Sequence, residues 1–364
     1  MRPTVGGTLE RTSNKYPEKE ALVYPKKGIR WTYDEFNTLA TQFSRVLASH
    51  DVSKGDRVSV ILRNSAEYAV SVFGIARRGA IFNPLNWRLA TGEFVSILRE
   101  VEPKLLLFDE PNRENVSALV AEPIEIDEFV FTDDDRFSIP DFATGFHREL
   151  ESATGGSHSF DVAPEDPYAL IYTSGTTGHP KGAIHSHENA TTHNLRYIWY
   201  WGYSKSSVGL ITKPMFHTAS IHCRLFPQVN VGAKTVIMHE FDAKTLLELV
   251  DQEGVTGFAL PSRTYNKLLD IIDEAEFDGS SMRRFGYGTS PMPPSLLEEC
   301  MDVFGTGFGT AYGMTEMGPS EAFLFPEDIQ EKLGSVGYPT PNTEIRIVPP
   351  RIGDQEDPDP PDDG

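Results

Sequence analysis

Ile171-Tyr-Thr-Ser-Gly-Thr-Thr-Gly-His-Pro-Lys-Gly182 joins an apolar strand to a loop with three glycines, four Ser/Thr hydroxyls and one lysine. Glycines let backbone N–H groups close on an anion, hydroxyls donate further hydrogen bonds, and Lys181 supplies a point charge. That is the chemistry of a phosphate cradle, although a plain surface loop can share the composition. Two common cradles do not fit. A Walker A loop needs G-x-x-x-x-G-K-[ST], and neither Gly175 nor Gly178 starts that spacing. The dinucleotide fingerprint G-x-G-x-x-G also fails, both here and at Gly305-Thr-Gly-Phe-Gly309, where the final glycine falls on Thr310. Kinase-like and nicotinamide readings therefore lose their support.

Outward from this loop, apolar runs alternate with helical periodicity. Val58–Leu62, Leu105–Phe108, Tyr168–Tyr172, Val208–Thr212, Thr235–Met238 and Gly257–Leu260 have the length and composition of buried strands. Thr32-Tyr-Asp-Glu35 predicts a capping box opening a helix through about Ser49, and Ser65 predicts the cap of the next. Further helices are expected over Ala243–Gln252 and Tyr265–Ala275. Strands alternating with helices predict layered α/β sheets with right-handed crossovers. Asp133–Pro164 reads as a loop-rich connection. Residues 349–364, acidic and proline-rich with almost no apolar content, read as a disordered tail.

Acidic residues outnumber basic ones by 53 to 33 among 364, so the net charge of −20 repels nucleic acid and anionic lipid. The two cysteines, Cys223 and Cys300, make no metal-ligand spacing and exclude a disulfide scaffold. With no apolar signal core at the start and no membrane-length apolar run, the chain reads as a cytoplasmic protein of a reducing compartment. Oligomeric state has no sequence signal.

Five motifs in order carry a resemblance. Tyr172–Gly182 is similar to the signature loop of the adenylate-forming superfamily, and Pro214-Met-Phe-His-Thr218 resembles its substrate-side motif. Tyr287-Gly-Thr-Ser-Pro-Met-Pro293 resembles the adenine-side loop, Ala311-Tyr-Gly-Met-Thr-Glu316 the nucleotide and magnesium motif, and Gly334-Ser-Val-Gly-Tyr-Pro339 the segment that follows. The resemblance covers roughly residues 5 to 348 and is closest to the acyl-CoA synthetase type. It implies a layered αβαβα adenylating domain over 1–348, of two sheet subdomains plus a small β-rich part.

The implied reaction joins a carboxylic acid, of fatty type, to ATP, giving an acyl-adenylate that coenzyme A then accepts as a thioester. Attack at the α-phosphorus makes catalysis mostly positioning and charge neutralisation. By resemblance, Thr173, Ser174, Gly175, Thr176, Thr177, Gly178 and Lys181 hold the β- and γ-phosphates. Glu316 matches the Mg²⁺ ligand and Thr315 the α-phosphate contact. Tyr312, Gly313, Gly288, Ser290 and Pro291 would border the nucleotide, and His217 the substrate carboxylate. Side chains from Trp199–Tyr203, Ala259–Tyr265 and Tyr287–Pro291 would set the acid pocket. His185, His187, His193 and His222 match no family role, and a metal pair of His217 and His222 is disfavoured by its spacing.

The family pattern continues with a Thr-Gly-Asp segment, a basic hinge and a small lid domain carrying a catalytic lysine. None of these lies within the 364 residues, and Lys332 precedes the place where that lysine belongs. The resemblance therefore implies slow adenylation and little thioester formation by this stretch alone. A different acceptor, and a non-catalytic nucleotide-binding protein, are the alternatives.

Overall fold

A computed structural model of the chain describes residues 3–153, 161–173 and 180–348. The chain opens with β1 (Glu20–Tyr24) and β2 (Ile29–Thr32). Seven strands follow: β3 (Arg57–Ile61), β4 (Ile81–Pro84), β5 (Leu105–Phe108), β6 (Glu128–Phe131), β7 (Thr144–Gly145), β8 (Pro167–Thr173) and β9 (Lys181–Ser186). The last seven are β10 (Val208–Ile211), β11 (Lys234–Ile237), β12 (Gly257–Pro261), β13 (Arg284–Gly288), β14 (Phe308–Tyr312), β15 (Ala322–Leu324) and β16 (Tyr338–Pro339).

Two sheets result, in the orders β7-β6-β5-β3-β4-β8-β9 and β16-β15-β14-β13-β12-β10-β11-β1-β2. Pairing is parallel except at β8–β9, β1–β2 and β14–β15–β16. Alternate residues of one strand feed different cores, as a sheet covered on both faces requires. Val58, Val60, Leu105 and Leu107 join the central core, whereas Ile61, Leu106 and Phe108 join an outer one. Leu22 and Tyr24 likewise face the central core and Val23 the other side of its sheet.

Helix Ala66–Arg78 lies between the sheets, with residues 66–77 all buried. Mostly apolar side chains suit a helix covered all round, and Phe73 meets Phe36 and Phe226 at 5.5 Å each. Outer helices such as Thr91–Val101 and Ala243–Glu253 complete the five layers. Both predicted caps form. Thr32 Oγ1 accepts from Glu35 N–H while Glu35 accepts from Thr32 N–H, and Ser65 accepts from Tyr68 N–H.

Three expectations are corrected. The Asp133–Pro164 connection contains β7 and helix Phe146–Ser152, because Phe146 and Leu150 bury themselves and Phe146 packs 5.1 Å from Phe43. The helix from Tyr265 ends at Ile272 rather than Ala275. The small β-rich part forms no separate sheet among the described residues; β15 and β16 instead extend the edge of the nine-stranded sheet, where β14 offers free backbone groups. The 349–364 tail lies outside the described residues.

Candidate active site

Parallel strands bring their C-terminal ends to one edge, where open α/β sheets bind ligands. Here Thr212 and Lys213 follow β10, Ala259 sits in β12, Gly286–Gly288 in β13 and Ala311 in β14, and all of these line one cavity of about 280 Å³. Tyr197, Tyr200 and Trp201 of helix His187–Trp201 wall its buried end, each at most 5% exposed. The open end carries His217, Thr289, Gly313, Met314 and Thr315. Trp199, at 53% exposure, points away from the cavity, so only part of the expected Trp199–Tyr203 stretch shapes it.

The two sheets meet beside this opening. Thr173, at the end of β8, pairs across the antiparallel ladder with Lys181 at the start of β9. Thr173 Oγ1 donates to Glu316 Oε1 at 3.1 Å, which ties the loop-bearing strand to the turn Thr315–Met317. Lys181 and Glu316 are both exposed. Ser174, Gly175, Thr176, Thr177 and Gly178 lie outside the described residues. Thr173, Lys181, Thr315 and Glu316 thus gather at the mouth of the cavity, while His217, Gly288, Gly313 and Thr315 line it. Tyr312, half exposed, and Ser290 and Pro291, both exposed, stand outside the lining.

Local chemistry fixes several of these groups. At Gly313 a Cβ would overlap the Pro319 carbonyl oxygen, so only glycine allows the Thr315 turn to fold back this tightly. Thr289 holds φ at +66°, left-handed backbone that a β-branched residue rarely adopts, and its hydroxyl donates to the Gly288 carbonyl at 2.6 Å. Ser262 Oγ donates to the Ser290 carbonyl at 2.8 Å and pins the same loop. The His217 ring lies 4.2 Å from that of Phe216. Desolvation, then the cations Lys213 and Arg88, lower its pKa to about 4, so near neutral pH it is a neutral hydrogen-bonding group.

No cluster of three or more His, Cys, Asp or Glu side chains that could cage a metal exists among the described residues. A lone exposed carboxylate such as Glu316 would fit Mg²⁺ only where waters and a phosphate ligand complete its coordination. The disfavoured His217–His222 metal pair does not form. His222 is fully buried, and its Nδ1–H donates to the Gly318 carbonyl at 3.0 Å, leaving Nε2 to accept from the Tyr168 hydroxyl. That bond anchors the segment following Glu316, a supporting role that five-residue spacing from His217 did not reveal. Lys213 and Arg224 are the other residues missed. Their one signal was a cation inside otherwise apolar stretches.

Residues 9–363 match the family model described as AMP-binding enzyme. The chain is 29% identical over 359 residues to the long-chain-fatty-acid–CoA ligase FadD13 of Mycobacterium tuberculosis, covering 94% of this chain and 66% of the relative. It is 30% identical over 346 residues to an indoleacetate–CoA ligase of Aromatoleum aromaticum, covering 93% and 65%. The chain therefore spans just under two thirds of the length of these relatives. Its fold is similar to the inhibitor-bound N-terminal domain of FACL13 from Mycobacterium tuberculosis, with a TM-score of 0.85 and 27% identity over 94% of this chain and 83% of that one.

Proposed function

This chain belongs to the AMP-binding enzyme family, and on that premise we propose that its site activates a carboxylic acid with ATP as the first half of acyl-CoA synthesis. A carboxylate oxygen attacks the α-phosphorus, the P–O bond to the β-phosphate breaks, and pyrophosphate leaves. The thiol of coenzyme A then attacks the acyl carbon, and AMP departs with the carboxylate oxygen. The 3.1 Å contact between Thr173 and Glu316 carries this reading, because it brings the phosphate-loop strand to the acidic turn at the mouth of a cavity.

In this reading residues 173–178 and Lys181 hold the β- and γ-phosphates, and Thr315 meets the α-phosphate. Gly288, Ser290, Pro291, Tyr312 and Gly313 border the nucleotide. Glu316 would hold a Mg²⁺ that arrives with ATP and screens phosphate charge. His217, neutral and at the opening, orients the acid without adding charge to it. The relatives' names support an organic-acid substrate, of fatty type in one and aryl type in the other. A cavity of about 280 Å³, closed by Trp201 and its neighbours, favours a compact one.

Acid-dependent exchange of pyrophosphate into ATP tests this. Removing one charge-stabilising group typically costs about 10²–10³ in rate, so Lys181→Ala and Glu316→Gln should each lose about that much exchange. ATP binding without exchange for any acid would overturn the reading.

A further inference from the structure

The cavity has a charge pattern opposite to that of the molecule. In a chain of net charge −20, its lining among the described residues holds Lys213 and Arg224 and no Asp or Glu. Arg224 lies at the buried end, 6% exposed, with its guanidinium 3.8 Å from the centre of the Trp201 ring and 5.3 Å from that of Tyr197. Both of its hydrogen bonds leave from Nη1, to the Tyr203 hydroxyl at 3.0 Å and the Cys223 carbonyl at 3.2 Å. Among the described residues no carboxylate pairs with it, and Nε and Nη2 have no hydrogen-bond partner. Lys213 is the second cation; its ammonium makes no hydrogen bond or ion pair among the described residues.

A buried cation without a counter-ion is costly, and structures normally offset it with an acid. Here the cost is left standing inside the cavity that adjoins the proposed reaction site. A ligand can lift it. The reacting carboxylate of the acid belongs at the open end, beside His217 and Thr315, where adenylation takes place. Arg224 stands at the other end, among Tyr197, Tyr200 and Trp201. An anion meeting Arg224 is thus a different group of the same ligand. The planar guanidinium matches a carboxylate through parallel hydrogen bonds, and the aromatic wall holds it flat.

We propose that the acid taken by this site is a dicarboxylic acid, whose second carboxylate is received by Arg224, with Lys213 beside it. The proposal rests on the adenylation reading and names its substrate class. Arg224 is a specificity-determining residue. It takes no part in the bond changes, which remain those of the carboxylate at the mouth.

Pyrophosphate exchange with the full chain, run on succinate, glutarate, adipate and pimelate beside butyrate to heptanoate, benzoate and palmitate, makes the test. Direct calorimetric binding of the same acids runs in parallel. A charged hydrogen-bonded pair is worth roughly ten- to hundredfold, so the best diacid should exceed the monoacid of equal length by about that factor in kcat/KM, mostly through KM. Arg224→Met should erase the preference and raise the relative rate with monoacids, Arg224→Lys should restore part of it, and Lys213→Met should weaken diacids alone. The wild-type ratio needs no variant to fold. Equal use of monoacids and diacids by the wild type would overturn the proposal and leave adenylation standing. Arg224-dependent diacid binding without any exchange would support the proposal and overturn adenylation instead.

Discussion

Lowering the pH from 7.5 to 5.5 should weaken this fold, because it buries histidines in a form that cannot accept a proton. His187, His193 and His222 are at most 2% exposed. Burial lowers His187 to about 4, with Lys54 assisting and Asp166 opposing. It lowers His222 to about 3, with His185 assisting and the bond to Gly318 opposing, and it holds His193 well below its ordinary value, helped by His222 and Arg196. His187 Nδ1 accepts from the Val5 N–H at 3.2 Å, so a proton there would also break that bond.

An unfolded histidine titrates near 6.5, so between that value and the lowered folded one the unfolded chain binds more protons. Stability from these groups is full above 6.5 and falls with pH down to the folded values. At pH 5.5 each costs between about 1 and 2 kcal/mol, or about 4 kcal/mol for three. Two groups oppose this. Burial pushes Asp109 up to about 6, so the folded chain takes that proton first and regains about 1 kcal/mol on acidification. His147, raised by Glu67 against its burial, acts in the same direction.

The net loss from these five groups is about 3 kcal/mol, worth roughly 4 °C for a chain of this size. His185, His217 and His239, which burial also lowers, add to it in the same direction. Urea unfolding at both pH values should show that loss. Calorimetry in two buffers should find at least about two protons taken up on unfolding at pH 5.5. His193→Phe, which keeps a ring 5.7 Å from Tyr197, should remove about a third of the histidine contribution. Equal stability at the two pH values, or no proton uptake, would refute the reasoning.

Three further outcomes follow from local packing. Glu67, 1% exposed, is held near a pKa of 2 by His147 and by Lys27 at 2.8 Å despite its burial; Lys27→Met strands that carboxylate and should cost about 3–5 kcal/mol in urea unfolding. Thr289→Gly frees a β-branched residue from its positive φ and should raise stability by about 1 kcal/mol net of the added chain entropy, visible as a higher melting temperature. A Cβ at Gly286 would sit 2.7 Å from that of Ala259 and 2.9 Å from the Trp201 ring; Gly286→Ala should therefore cost about 1–3 kcal/mol and raise KM for the longest accepted acid more than for the shortest, as exchange kinetics will show.

What the sequence made legible depended on how local the signal was. The buried parallel strands read directly, since both faces are covered and their runs are continuously apolar. Caps at Thr32 and Ser65 read because the bonding groups lie three residues apart. The helix Phe146–Ser152 did not read, because its seven residues bury only Phe146 and Leu150 on one side. At the site, motif order assigned Thr173 and Glu316 separate roles around one nucleotide, but the hydrogen bond that joins them across 143 residues has no signal in any periodicity. Arg224 escaped for a conformational reason. Ile221–Leu225 forms a π-type turn between short α-helical segments. Its extra residue rotates the following chain by about 100° relative to a regular helix. Side-chain directions counted at 3.6 residues per turn fail across such an insertion. The turn presents Cys223 and Arg224 to the cavity while burying His222 against Tyr168 and Gly318. One irregular turn therefore both anchors the acidic loop and aims the cation, and neither consequence can be read from the composition of Ile-His-Cys-Arg-Leu.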